Sequence, residues 1–144
     1  MILADEAATA RLGAQLAAHV RPGEVITLSG PLGVGKTALA RALIGALGHE
    51  GEVPSPSFAI VQPYEELRPP VWHVDLYRIE QAGELDELGL DDLDHVVLIV
   101  EWPARAGEGA WPDALALSLD FAPGGARRLT AKLPPAWEGR WPPQ

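Results

Sequence analysis

The amino-acid sequence predicts an α/β fold of three layers, with a central, mostly parallel β-sheet and a C-terminal β-hairpin. Three observations support this prediction. A glycine-rich loop at 30–37 lies between a short apolar run and a run with helical spacing. The most hydrophobic run, 96–101, has the composition of a strand that is covered on both faces. Apolar residues then alternate along 115–121, ahead of two consecutive glycines, which is typical of a hairpin.

Five elements are predicted before the central strand, because apolar residues repeat there with helical or strand spacing. In chain order they are a helix at 5–19, a strand at 25–28, a helix at 38–47, and strands at 59–61 and 71–75. Acidic residues begin the first helix, where they favour its positive end. Gly48 suits the C-cap of the second helix. The proline-rich segment 53–58 is expected to be extended and irregular.

The C-terminal half is predicted to complete the sheet. An acidic, leucine-rich stretch at 84–94 is expected to form short helices that break at Gly89. The hydrophobic run 96–101 is the central strand. Alternating residues at 115–121 and 128–133 form the two strands of the hairpin.

Length and composition indicate one globular domain. The 144 residues are 47% hydrophobic and 22% charged, which is ordinary for such a domain. We expect the domain at 1–133 and a proline-containing tail at 134–144. That tail is either held against the domain by Trp137 and Trp141 or disordered.

Charge and cysteine content exclude several function classes. No stretch approaches the ~20 apolar residues of a membrane span, and no signal peptide is visible, so we expect a cytoplasmic protein without membrane contact. The chain has no cysteine, which excludes disulfides, thiolate metal sites and a cysteine nucleophile. A net charge of −9 and a single adjacent basic pair, Arg127-Arg128, argue against unaided binding of RNA or stable binding of DNA.

The loop at 30–37 reads GPLGVGKT and matches the phosphate-binding pattern G-x-x-x-x-G-K-[ST] at every fixed position. Backbone N–H groups of such a loop and the positive end of the next helix converge on a phosphate. Lys36, one of two lysines beside nine arginines, supplies a compact point charge for the β- and γ-phosphates. Thr37 offers a hydroxyl to Mg²⁺. The motif predicts a P-loop NTPase-like fold that binds nucleotide through Pro31, Leu32, Gly33, Val34, Gly35, Lys36, Thr37 and Ala38.

Three further residues are expected near this loop, because ligands bind at the carboxyl ends of the strands in such sheets. Glu101 ends the central strand, where phosphate-loop enzymes keep a second Mg²⁺-linked carboxylate. The alternative without a functional role is a surface acid at a strand end. Asp75 either orients the attacking water or a metal-bound water, or caps a turn. Trp102 either packs on the nucleotide or closes the core.

The other polar candidates carry less information. Ser57 either senses the γ-phosphate or belongs to an ordinary proline-stiffened turn, and spacing alone favours the turn. The four histidines show no metal-ligand spacing and are interpreted as structural or solvated. Arg78 and Arg105 are candidates for neutralising transition-state charge, and a partner protein could supply this group instead.

Several segments in order resemble one family. They are GPLGVGKT at 30–37, SPSF at 55–58, HVDLYR at 73–78, ELGL at 87–90 and EWPAR at 101–105. Over residues 5–133 the chain resembles the TsaE (YjeE) family of small bacterial ATPases. The resemblance implies a P-loop α/β fold, Mg²⁺-dependent hydrolysis of ATP, and a complex with TsaD and TsaB. That complex adds threonylcarbamoyl to the adenosine beside the tRNA anticodon; the ATPase resets or licenses it and meets tRNA only through it.

The resemblance also implies residue roles. Lys36 and Thr37 bind phosphate and Mg²⁺, and Glu101 matches the Mg²⁺-linked glutamate. Asp75 matches an acid that is important for hydrolysis. Trp102 matches a residue beside the nucleotide. Lys36, Asp75 and Glu101 are therefore the predicted catalytic set.

The chain departs from the usual family pattern at three positions. Ser57 stands where the family usually has threonine, so the hydroxyl is kept. Pro31 and Val34 stand in place of aspartate and alanine. Backbone N–H groups make most phosphate contacts, so these two changes leave the loop's function in place.

Two other functions compete with this one. A small-molecule kinase would carry an arginine-rich lid, yet between 63 and 94 the chain offers only Arg68 and Arg78 amid many acids. A GTP-driven switch protein would carry an N-K-x-D motif, and this chain contains no asparagine.

Overall fold

The computed structural model describes residues 1–53, 61–90, 93–107 and 109–143. Within these residues the chain is an α/β fold around one mixed sheet of seven strands. The strands are β1 (Ile2–Leu3), β2 (Val25–Ser29), β3 (Val61–Tyr64), β4 (Val71–Asp75), β5 (Val97–Glu101), β6 (Leu115–Phe121) and β7 (Arg127–Lys132). The helices are α1 (Glu6–Ala17) and α2 (Lys36–Ala46), with 3-10 segments at Ala82–Leu88, Pro103–Ala106, Pro123–Gly125 and Pro135–Trp137.

The strand order in the sheet is β1-β7-β6-β2-β5-β4-β3. The four inner strands β6, β2, β5 and β4 run parallel, which confirms the predicted mostly parallel core. The edges are antiparallel: β3 pairs with β4, and β7 pairs with β6 and β1. The β6–β7 pair is the predicted hairpin, with Leu119 opposite Leu129. The order places β2, which leads into the glycine loop, between β5 and β6.

One face of the sheet is covered by the two α-helices. Asp5 caps α1 by accepting a hydrogen bond from the N–H of Ala8 at 2.9 Å. The helices approach closely, since a Cβ on Gly13 would lie 2.4 Å from the Cβ of Ala42. Their buried leucines pack on inner-strand residues that include Leu28 and Ile99. This packing forms the larger part of the core and fixes where α2 begins relative to the sheet.

The other face is covered by a third layer of 3-10 turns and loops. Its buried cluster comprises Val74, Leu76, Ile79, Leu98 and Val100. The Ala82–Leu88 segment ends at Gly89, whose φ of 68° is left-handed, which confirms the predicted break there. Residues 91 and 92 of the predicted acidic stretch lie outside the described residues.

Several boundaries differ from those predicted. The second helix begins at Lys36, inside the phosphate-loop motif, because Gly35 turns the chain directly into it. Residues 59 and 60 of the predicted strand at 59–61 are outside the described part of the chain, and β3 is described from Val61 onward. Neither α1 nor α2, nor any other helix of the described residues, has the length and apolar character needed to cross a membrane.

The C-terminal tail packs against the domain over its described residues, 134–143. Trp137 is 1% exposed and belongs to the main core, and Trp141 packs against the same cluster. The guanidinium of Arg140 lies 4.1 Å from the ring of Trp137 and pairs with the carboxylate of Glu24. Of the two alternatives for the tail, the structure shows the one in which the tryptophans hold it.

Candidate functional site

The glycine loop is held from two sides at the carboxyl edge of the sheet. Gly30 has a φ of 142°, and a Cβ there would lie 2.3 Å from the carbonyl oxygen of Leu119. Only glycine fits this close approach of the loop to β6. Arg127, at the start of β7, donates a hydrogen bond from Nε to the carbonyl oxygen of Val34 at 2.9 Å. The loop is thus tied to both strands of the hairpin.

Lys36 is a buried cation that folds back onto the loop. Its Nζ donates hydrogen bonds to the carbonyl oxygens of Gly30 at 2.6 Å and Pro31 at 3.0 Å. The same atom lies 4.1 Å from the centre of the Trp102 ring, and the residue is only 4% exposed. Burial lowers the pKa of Lys36, while the charges of nearby carboxylates oppose that shift. A negatively charged ligand would therefore stabilise this ammonium group.

Thr37 and Glu101 meet at the start of α2. The hydroxyl of Thr37 faces both carboxylate oxygens of Glu101, at 2.8 Å from Oε1 and 3.1 Å from Oε2. Glu101 ends β5, which lies next to β2, and its side chain is 2% exposed. Among the described residues there is no cluster of three or more acidic, histidine or cysteine side chains suited to a metal. A hydroxyl beside one carboxylate fits Mg²⁺, which takes oxygen ligands and few of them from protein.

His73 lies behind this site and contacts Glu101. The sequence interpretation treated it as structural or solvated, and its burial agrees with the structural alternative. It lies on β4 with no exposed surface, and its Nε2 is 2.7 Å from Oε2 of Glu101. The spacing between His73 and Asp75 in the sequence could have indicated that His73 lies near the site. His73 lies two residues before Asp75, so the two share a face of the strand. Only the pairing of β4 with β5 brings that face to Glu101.

Asp75 lies opposite Glu101 in the register of β4 and β5. Its Oδ1 accepts a hydrogen bond from the N–H of Tyr77 at 2.8 Å, so it does cap the turn that follows the strand. Burial raises the pKa of Asp75, and the negative charge of Glu101 raises it further. Asp75 also faces the open space beside the loop. Capping the turn therefore does not exclude the other predicted role, in which Asp75 orients a water molecule.

Trp102 and Tyr77 form an aromatic wall beside Lys36. Their ring centres are 5.0 Å apart. Trp102 has a φ of 59°, which is uncommon for any residue other than glycine. The residue follows Glu101 directly, so this turn aims the ring across the loop while the carboxylate stays at the end of the strand.

These elements enclose one cavity of about 370 Å³. It is lined by Leu32, Gly33, Gly35, Lys36, Thr37, Ala38, Asp75, Tyr77, Arg78, Glu101 and Trp102. The cavity therefore brings together nearly all the predicted site residues, from the glycine loop, the start of α2 and the ends of the two strands β4 and β5. Their catalytic and binding roles stay predictions.

Several predicted residues lie elsewhere. Neither Pro31 nor Val34 is among the described residues that line the cavity. The side chain of Val34 is fully buried in the core, and the carbonyl oxygen of Pro31 accepts a hydrogen bond from Lys36. Nucleotide binding by these two residues of the loop stays a prediction. Arg78 lines the cavity, whereas Arg105 lies 5.7 Å over the ring of Tyr77. Ser57 lies outside the described residues.

Comparison with known proteins settles the family. The family model described as "Threonylcarbamoyl adenosine biosynthesis protein TsaE" matches residues 3–129. The chain belongs to the TsaE family. A tRNA threonylcarbamoyladenosine biosynthesis protein TsaE from Streptomyces coelicolor is 42% identical over 117 residues, 78% of this chain and 79% of the relative. One of the same name from Haemophilus influenzae is 31% identical over 125 residues, 81% of this chain and 78% of the relative.

A solved structure agrees with the TsaE assignment. The crystal structure of YdiB from Bacillus subtilis superposes with a TM-score of 0.77 and 29% sequence identity, covering 91% of this chain and 82% of YdiB. The predicted resemblance to the TsaE family and the predicted α/β class are thus confirmed. The region matched by the TsaE family contains every residue that lines the cavity, and it ends before the C-terminal tail.

Proposed function

We propose that the chain is a P-loop ATPase with an NTPase-like three-layer fold. It binds ATP and Mg²⁺ in the cavity beside the glycine loop, and acts with TsaD and TsaB in the bacterial cytoplasm to make threonylcarbamoyladenosine in tRNA. The observation that carries the proposal is the meeting of Lys36, Thr37, Asp75 and Glu101 in one cavity at the start of α2. Membership of a family named for this tRNA modification supplies the pathway.

Lys36 and the loop provide the phosphate site of this ATPase. The ammonium group is already desolvated and sits beside the first residues of α2, whose N–H groups donate no hydrogen bond to a capping side chain among the described residues. Both features favour an anion here. Charge that develops on the γ-phosphate would be neutralised by groups that need no reorganisation, which is most of what phosphoryl transfer asks of a protein.

Thr37 and Glu101 would hold Mg²⁺, directly or through its bound water. An ion held by these two residues would supply positive charge beside the phosphate groups. The hydroxyl and the carboxylate are already in contact, so the fold has oriented both oxygen groups toward the same place.

Asp75 is the group we assign to the attacking water. Its raised pKa makes it a stronger proton acceptor than an exposed aspartate. In the proposed reaction the water oxygen bonds to the γ-phosphorus as the bond to the ADP oxygen breaks. The water proton passes to Asp75 and then to solvent. Asp75 keeps its hydrogen bond from Tyr77, which holds the carboxyl group in place.

The net charge of the chain bears on how it would meet tRNA. A net charge of −9 gives it little attraction for tRNA, so contact with tRNA is expected only inside the complex with TsaD and TsaB.

The test is ATP hydrolysis by the purified chain, alone and with the TsaD–TsaB pair and tRNA. We expect slow turnover alone, a rise with the partners, and no turnover by Lys36→Ala. Lys132→Ala is the matched control, because Lys132 is the other lysine of the chain and is exposed on β7. Turnover that ignores the partners, or that survives in Lys36→Ala, contradicts the proposal. A phosphorylated small-molecule product would favour the kinase alternative.

A further inference from the structure

Behind the carboxylate of Glu101 lies a buried histidine that the proposed reaction has not used. Glu101 receives hydrogen bonds from two directions, from Thr37 on the cavity side and from Nε2 of His73 at 2.7 Å within the sheet. His73 has no exposed surface, so this contact is sheltered from water. A sheltered hydrogen bond to a carboxylate is stronger than an exposed one.

The hydrogen-bond pattern decides which nitrogen of His73 carries the hydrogen. The carboxylate can only accept, so Nε2 must donate. Nδ1 is buried and has no hydrogen-bond partner among the described residues. A hydrogen on Nδ1 would have no acceptor, which is costly in a buried place. His73 therefore presents one fixed donor, aimed at Oε2 of Glu101.

This donor restricts how Glu101 can turn. The backbone at Glu101 is fixed by strand pairing and by its carbonyl oxygen, which accepts a hydrogen bond from the N–H of Leu76 at 3.1 Å. The side chain has three further rotatable bonds, and the single hydroxyl of Thr37 can donate only one hydrogen bond to it. His73 holds the carboxylate of Glu101 from the side opposite Thr37. The remaining lone pairs of that carboxylate therefore stay directed toward Thr37 and the cavity.

We infer that His73 is a positioning residue that holds Glu101 ready for Mg²⁺ before nucleotide arrives. The inference rests on the proposed function and extends it, since it assigns part of the response to metal to a residue that does not touch nucleotide. An ordinary buried histidine would contribute only packing. The two roles differ in one respect: a positioning donor strengthens the effect of Mg²⁺ on nucleotide binding, whereas packing affects the fold alone.

The experiment measures binding of a non-hydrolysable ATP analogue, adenylyl imidodiphosphate, by calorimetry with Mg²⁺ and again with EDTA. His73→Met keeps a side chain of similar volume without a donor, and His73→Gln keeps an N–H donor at a similar reach. His95→Met is the control, because His95 is exposed. Melting curves by circular dichroism verify that each variant folds.

We expect the affinity without metal to stay within about twofold of wild type in every variant. The gain in affinity from Mg²⁺ should fall by about tenfold in His73→Met, the lower end of the range for lost partners of metal ligands. It should be largely restored in His73→Gln and unchanged in His95→Met. Should His73→Met fail to fold, His73→Leu, which also lacks a donor, takes its place in the same comparison.

Three results would overturn the inference. A full Mg²⁺ gain in folded His73→Met would mean that the donor has no effect on the metal response. An equal loss in folded His73→Gln would mean that shape, and not the donor, matters. Wild-type protein that binds the analogue under neither condition would refute the proposed function itself, and with it this inference. If only this inference fails, the wild type still binds the analogue. The two failures are therefore distinguishable.

Discussion

Gly30→Ala is the substitution that tests the architecture of the phosphate loop most sharply. A Cβ at residue 30 would lie 2.3 Å from the carbonyl oxygen of Leu119 and 3.0 Å from Cγ1 of Val34. The first contact is with backbone, which cannot rotate away. The φ of 142° at Gly30 adds strain for any residue with a side chain. The loop must therefore move away from β6 to admit the methyl group.

The cost has two parts. Backbone strain contributes about 1–3 kcal/mol, as is usual for a side chain held in a region that favours glycine. Overpacking against Leu119 contributes about 1–3 kcal/mol more. We therefore expect Gly30→Ala to lower the free energy of unfolding by about 2–6 kcal/mol. Nucleotide affinity should fall as well, because the loop amides would be displaced.

Urea unfolding followed by circular dichroism measures this loss, with Gly48→Ala as the matched control. Gly48 also has a positive φ, 112°, but a Cβ there would meet nothing within 4 Å. Strain alone should act at Gly48, so the difference between the two variants isolates the contact with Leu119, about 1–3 kcal/mol. Equal losses in the two variants would refute the reasoning, because they would show that the loop does not press against β6.

Three further substitutions follow from the site's charges and from one surface pair. Lys36→Met should abolish ATP hydrolysis yet leave the melting temperature unchanged or higher, since burial lowers the pKa of Lys36 and methionine needs no desolvated charge; a large drop would contradict this. Asp75→Asn should raise the melting temperature and slow hydrolysis, since burial raises the pKa of Asp75 and the amide oxygen can still accept from Tyr77; a lower melting temperature would argue against a strained carboxylate. The hydrogen bond to Glu66 raises the pKa of His49 above its ordinary 6.5, so an NMR titration should find it there and find it lowered in Glu66→Gln. While Glu66 is ionised, this pair's contribution to stability is full below pH 6.5 and is lost as the pH rises through the raised pKa of His49. A His49 pKa at or below 6.5 would show that the pair does not form.

Local patterns were sufficient to predict much of the fold and of the site. The glycine loop, the run at 96–101 and the alternation at 115–121 each carry a signal within a few residues, and each became the predicted element. The carboxylates at positions 75 and 101 were predicted near the loop because they end strands of a parallel core. That inference needed only the polarity of the strands, which the crossover connections determine.

Features that depend on which strands are neighbours could not be predicted in the same way. The two-residue strand β1 has too little sequence to carry a pattern and exists through its pairing with β7. His73 looked like an isolated histidine because its partner, Glu101, lies 28 residues away on a strand whose neighbour was not known. The left-handed turn at Trp102 and the hydrogen bond from Arg127 to the loop are equally non-local.

The central claim, that ATP binds in this cavity with Mg²⁺, is tested most directly by titrating ATP into wild-type protein and into Thr37→Val. Valine matches the shape of threonine and removes only the hydroxyl that contacts Glu101 at 2.8 Å. We predict one ATP bound per chain, tighter with Mg²⁺ than without it, and loss of that Mg²⁺ effect in Thr37→Val. No binding of ATP by the wild type, or an undiminished Mg²⁺ effect in Thr37→Val, would contradict the assignment of this cavity.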